Sequence, residues 1–162
     1  MVVNTSKVTG RRKLQFDSLD DVVNDVDRIL VAQSSGELRV LGNWTAGQIL
    51  AHLASWAEYP YKGYPMKPPV WLIRFILKRM LPRTLAHGMS PGVKIPGIAG
   101  GTTGQEDQPI DLAGSRYKKA LERLKSAEPA IHHSPAFGLL PHSDIVRLQL
   151  RHAELHLSFI VI

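Results

Sequence analysis

Cysteine is absent from the 162 residues, which excludes a disulfide scaffold, a thiolate metal site and a cysteine nucleophile. Any metal must therefore be held by His, Asp or Glu, and any redox chemistry must come from a cofactor. Aromatics are sparse, at 7%. With neither a basic stripe interleaved with aromatics nor a helix-turn-helix pattern, no nucleic-acid partner is expected. The N-terminal basic residues are not followed by the apolar stretch of roughly 7 to 15 residues that a secretory signal needs, so a cytoplasmic location is expected. The longest apolar run, residues 69–81, is broken by Arg74, Lys78 and Arg79 and falls short of the roughly 20 residues that span a bilayer. No transmembrane segment is expected. Strand-like alternation of useful length and internal repeats are also missing.

What is present suits one globular domain over residues 1–162, at 44% hydrophobic and 21% charged with a net charge of +6. The positive excess reads as spread along the chain, favouring none of nucleic acid, anionic lipid or a small anionic substrate.

Apolar residues recur at helical spacing in four main stretches. The first is a helix over about 18–33, with Asp17 and Ser18 as candidate caps and Ser34-Ser35-Gly36 closing it. Thr45 and Gln48 have the spacing of a capping box, which starts a second helix over about 46–59. Pro60, Pro65, Pro68 and Pro69 break the chain before a basic amphipathic helix over 70–80 that ends at Pro82. Its apolar face is expected to join the core. Residues 82–109 form one long glycine- and proline-rich loop, a candidate lid. A helix over about 111–127, a turn-rich connection over 128–141 and a last helix from about residue 143 to the end complete the pattern. The expected fold is all-α, an up-down four-helix bundle with an extra short helix and a long loop between the second and third core helices.

Histidine is where the chemistry concentrates. His152 and His156 are one turn apart on the last helix, so both imidazoles can reach a common cation. Seven histidines give about 0.3 such pairs by chance, so the pair acquires meaning only from its setting. That setting is the apolar stripe of Ile145, Leu148, Leu155 and Phe159, while His52 lies on the apolar face of the second helix with Ile49, Leu53 and Trp56. Inward-facing imidazole is costly without a partner. Three from two helices suit a divalent ion such as Zn or Ni, with a position left for water or substrate.

The run Trp44-Thr45-Ala46-Gly47-Gln48-Ile49-Leu50-Ala51-His52-Leu53-Ala54, with Phe137-Gly138 and Arg151-His152-Ala153-Glu154-Leu155-His156-Leu157, resembles the DinB superfamily, within it a bacterial branch of unknown function. The resemblance extends from Arg12 to the end of the chain. It implies a four-helix bundle whose metal is held by one histidine of the second helix and two of the last, which fall on His52, His152 and His156. It further implies metal-dependent chemistry with low-molecular-weight thiols. Two positions depart from the family pattern. Leu155 stands where relatives often carry a first histidine before the final leucine, and Ser134 stands where His or Asn precedes Pro-x-Phe-Gly.

Other groups rank lower. His87, His132, His133 and His142 read as surface or loop residues. Glu154 turns about 200° from both helix-borne histidines and is expected to be solvated. Gln48 is explained as a cap. Glu58 has no second carboxylate beside it. Gly100-Gly101-Thr102-Thr103-Gly104 lacks the lysine of a phosphate loop and reads as flexible chain. Ser115 and Ser143 have no triad setting. The expected function is activation of water or a thiol at a three-histidine divalent-metal site, acting on a small-molecule substrate by transfer or hydrolysis. The alternative is a non-enzymatic bundle with a vestigial metal site, binding a ligand, a partner or an anionic membrane surface through the basic helix. Pairing into a homodimer through an outer helix face is expected, with Phe159, Ile160, Val161 and Ile162 either docked or shared between subunits.

Overall fold

A computed structural model describes residues 2–95 and 98–162; the expected loop over 82–109 therefore lies partly outside the described residues. Among the described residues five α-helices carry the fold. Helix α1, Leu19–Ser35, starts at a full capping box. The Ser18 side chain accepts from the Asp21 amide and the Asp21 carboxylate accepts from the Ser18 amide. It ends at Gly36, whose φ of 75° suits glycine. Helix α2, Ala46–Lys62, begins at the reciprocal Thr45 and Gln48 box anticipated from the sequence. Caps of this kind each contribute about 0.5–2 kcal/mol. Helix α3 is Trp71–His87, α4 is Ile110–Lys125 and α5 is His142–Leu157.

Helices α1, α4, α2 and α5 touch in that ring order, with α2 against α4 the most extensive contact, and α3 lies outside against α5. The class is all-α, as expected. Val22, Val26 and Ile29 of α1, Leu50 and Leu53 of α2, Leu121 and Leu124 of α4, and Leu157 of α5 fill the centre. The closeness of α2 to the chain entering α4 depends on Gly47, where a Cβ would stand 2.0 Å from the Gln108 carbonyl oxygen.

The N-terminal arm is tied to this ring by charge. Both guanidinium nitrogens of Arg12 donate to Asp25 at 2.7 Å, and Nη2 also reaches the Leu157 carbonyl at 3.1 Å. Asp25 is only 4% exposed, so the pair is a buried one.

Several boundaries differ from the sequence reading. Helix α2 does not stop before Pro60 but continues to Lys62. Proline removes the amide that would bond the Trp56 carbonyl, and Gln149 Nε2 from α5 takes its place at 3.0 Å. Helix α3 likewise continues through Pro82 to His87 and is as long as α1 and α2. Of its side chains only Leu85 is buried, and Trp71, Leu72, Phe75 and Ile76 are exposed. The expectation that its apolar face joins the core therefore fails. Helix α5 stops at Leu157. The following residues turn into a two-residue strand β2, Ile160–Val161, paired antiparallel with β1, Arg39–Val40. The apolar terminus is thus docked on its own chain.

Candidate metal centre

The site is built where α2 and α5 face each other. His52 follows from the apolar periodicity of α2 and is 1% exposed; His152 belongs to the buried stripe of α5 at 9%, and His156 is one turn further on. The structure brings together all three of the histidines chosen from the sequence. One ring nitrogen from each lies within 4.8 Å of the others, and the group can hold a metal ion. His52 Nε2 and His152 Nε2 are 3.1 Å apart. A tetrahedral ion with bonds of about 2.0–2.1 Å places its nitrogen ligands roughly 3.3 Å from one another.

The tautomer of His52 follows from its other nitrogen. Nδ1 lies 2.7 Å from the backbone carbonyl oxygen of Thr103, and a carbonyl only accepts. Nδ1 therefore carries the proton, and in the neutral ring the Nε2 lone pair points toward His152. This pairing of one ring nitrogen with a carbonyl is what fixes the tautomer and orientation of a metal-binding histidine.

Burial sets the electrostatics. It pushes His52 down to about 4, against a partial opposing effect of the Thr103 hydrogen bond. His152 is held well below the ordinary histidine range by burial first and then by His156 and His52, and His156 by burial and then His52. The three rings are neutral at pH 7, the state that ligates. Aromatic walls enclose them. Trp44 stacks on His156 with ring centres 5.5 Å apart, and Trp56 sits edge-on to His152 at 5.6 Å.

Above the histidines is a cavity of about 1240 Å³ whose lining includes Trp44, Trp56, the three histidines, Tyr64, Gln149, Arg83 and Lys94 and, among the described residues, no Asp or Glu. Tyr64 is raised to about 12 by burial and stays protonated. Gln149 is 7% exposed; its Nε2 is spent on the Trp56 carbonyl, and its Oε1 is buried without a partner among the described residues.

The described part of the loop after α3 contributes to the site directly. Besides His52 Nδ1, the Thr103 carbonyl accepts from Trp56 Nε1 at 3.3 Å, and the Thr103 hydroxyl accepts from Tyr59 at 3.1 Å. The stretch 100–104, expected to be merely flexible chain, supplies the partner that orients His52. Sequence reasoning missed Thr103 because the contact is made by a backbone carbonyl, which no side-chain pattern encodes. Gln149 was equally hidden, although its position three residues before His152 places it on the same helix face.

Of the lower-ranked groups, Gln48 is a cap, and Glu58 is occupied by Arg116 and Lys62, each at 2.9 Å. His87, His132 and His133 are exposed, His142 is half-buried, and Ser115 and Ser143 are exposed. Glu154 corrects the sequence reading. Its carboxylate is 11% exposed, accepts from the Phe16 amide at 2.7 Å and pairs with Arg151 at 3.0 Å. It is a clamp for the N-terminal arm.

The chain belongs to the family described as Protein of unknown function (DUF1569). The family's sequence model matches residues 8–162, which takes in the Arg12 clamp, all five helices and the three histidines. No curated protein and no solved structure matches the chain. The DUF1569 description names no reaction, so what the site does must be argued from its own groups.

Proposed function

We propose that His52, His152 and His156 hold a divalent cation, with zinc or nickel the best-suited ions, and that this member of DUF1569 is a metal-dependent enzyme of DinB-like descent acting on a small molecule. The observation that carries the reading is the hydrogen bond from His52 Nδ1 to the Thr103 carbonyl, because it aims the Nε2 lone pair at a point shared with His152. All three donors are neutral nitrogens, a set that suits these ions and not calcium or magnesium.

A bound ion would supply an electrophilic centre with at least one position free for water or a low-molecular-weight thiol, the nucleophile of a transfer or hydrolysis. The chain's own residues do the remainder. Trp44 and Trp56 exclude water from the imidazoles and so strengthen their interactions. Gln149 Oε1 is a fixed acceptor for an N–H or O–H group of the substrate, since its amide is already oriented by the Trp56 carbonyl. Tyr64 remains a proton donor across the neutral range. Arg83 and Lys94, with no acid among the described lining residues, favour a neutral or anionic substrate over a cation. Thr103 covers the histidines from a third segment and supplies the partner of His52.

Metal content by mass spectrometry, on protein purified without an immobilised-metal column, tests the reading. Close to one divalent ion per chain is expected, lost in both His152→Ala and the more conservative His152→Gln. A folded protein that takes up no zinc, nickel or manganese on reconstitution would overturn it.

A further inference from the structure

The positive charge is not spread along the chain but gathered in one segment. No acidic residue lies between Glu58 and Glu106, while seven of the twenty Lys and Arg residues do. The remainder of the chain has thirteen cations against fourteen acids, so this segment accounts for the whole net charge of +6. Its longest element is α3, which contains Arg74, Lys78, Arg79 and Arg83 and no acid. Among the described residues none of these four pairs with a carboxylate.

The same helix exposes apolar side chains. Leu72, Phe75 and Ile76 are 52%, 57% and 49% exposed, and Trp71 is 79% exposed. At helical spacing Leu72, Phe75, Ile76 and Arg79 share the side turned from the bundle, while Leu77, Thr84 and Leu85 are less exposed and lie on the other, and Arg83 stands at the rim of the cavity. One face therefore presents large apolar groups with the unpaired Arg79 beside them, and the exposed, unpaired Lys78 and Arg83 flank it among the described residues. A nucleic acid would occupy the cations but give the apolar groups no role. A second copy would cover the apolar groups but bring a cationic face to its own kind. An anionic bilayer uses both, with phosphates on the cations and apolar side chains in the boundary between headgroups and acyl chains.

We propose that α3 is an interfacial helix that docks this protein on the surface of an anionic phospholipid bilayer. It lies in the membrane plane and does not cross it; among the described residues no helix is long and apolar enough to span a bilayer. The inner side of α3 supplies Leu77 and Thr84 to the cavity above the histidines. Docking thus places that cavity one helix diameter, about 10 Å, from the lipid. The inference stands independently of the metal reading.

The full chain is co-sedimented with phosphatidylcholine vesicles and with vesicles in which about 30% of the lipid is phosphatidylglycerol. At least a tenfold preference for the anionic vesicles, or about that, is expected at low salt, weakening as salt rises. Arg79→Glu lowers the binding about tenfold or more, and the double change Phe75→Ser with Ile76→Ser does so too. All three side chains are exposed, so circular dichroism and melting stay as in the unaltered chain. Trp71 emission shifts to shorter wavelength on binding, and the shift is absent in Trp71→Phe. Equal binding to neutral vesicles, or none to anionic ones at low salt, overturns the proposal. So does a dimer in sedimentation velocity that the Phe75 and Ile76 changes dissociate, which would assign the face to a second copy. Oligonucleotide binding that survives those changes, without vesicle binding, would assign it to nucleic acid.

Discussion

Gln149 donates from α5 to the Trp56 carbonyl on α2, the acceptor that Pro60 deprives of its helical amide. The two helices that carry the histidines are thereby joined by a hydrogen bond to a carbonyl that a proline inside α2 leaves without its helical donor. Restoring the amide with Pro60→Ala gives the Trp56 carbonyl a second donor, so that it is no longer left unsatisfied when Gln149 is replaced. In a double-mutant cycle read by urea denaturation, Gln149→Leu is therefore expected to cost about 1 kcal/mol less in the Pro60→Ala background than in the unaltered chain. Additive effects would show that the bond contributes nothing to the packing of α2 on α5.

Gly104→Ala tests the orientation of His52 without touching a histidine. A Cβ there would stand 2.6 Å from Ser55 Cβ, and φ is +83°, so the loop must move from α2 and take the Thr103 carbonyl with it. Loss of such a partner commonly costs 10- to 100-fold in metal affinity. Zinc affinity from chelator competition should fall by about that factor, with the helix content unchanged.

Arg12→Ala leaves Asp25, 4% exposed, without its close bidentate partner and with only the exposed Arg28 at 3.7 Å. Breaking a buried pair from one side costs about 3–5 kcal/mol, whereas replacing both partners by apolar groups is far less costly. The expected order of melting temperatures is unaltered chain, then Arg12→Met with Asp25→Leu, then Arg12→Ala. Equal melting of the last two would remove the pair from the account of how the N-terminal arm is held.

Acid should destabilise the metal-free chain through the histidines. In the unfolded chain His52 takes up its proton near pH 6.5, and in the fold only near 4. The unfolded state binds more protons between these values, so stability falls as pH drops through that window and levels off below it. His52 alone accounts for about 3 kcal/mol at the acid end, and the lowered values of His152 and His156 act in the same direction. Urea midpoints measured from pH 7 to pH 4 in the presence of a chelator check this, and His52→Gln should flatten the curve.

How much of this was legible in the sequence depends on what kind of signal each element leaves. The helix starts at Ser18 and Thr45 were readable because capping is local and has a residue code. His52, His152 and His156 were readable because a polar side chain on an apolar stripe violates the period of its own helix. The continuation of α2 past Pro60 was not, since the group that rescues the freed carbonyl lies 93 residues from Trp56 along the chain. The exposure of the α3 face was missed for a related reason. Apolar spacing says that a helix has a face, and only the tertiary arrangement says what that face meets. The concentration of charge between Glu58 and Glu106 was present in the sequence throughout, but a net total conceals it.

One hundred residues separate His52 from His152, and that distance bears on the order of assembly. Closing so long a loop in the unfolded chain carries an entropic cost that a single two-ligand contact does not offset. The three nitrogens therefore meet only after α2 and α5 have docked, with Thr103 closing over them from a third segment. An ion would then be added to a finished fold and would not template it. The metal-free chain should accordingly refold at the same rate whether or not zinc is in the buffer, with zinc slowing only its unfolding.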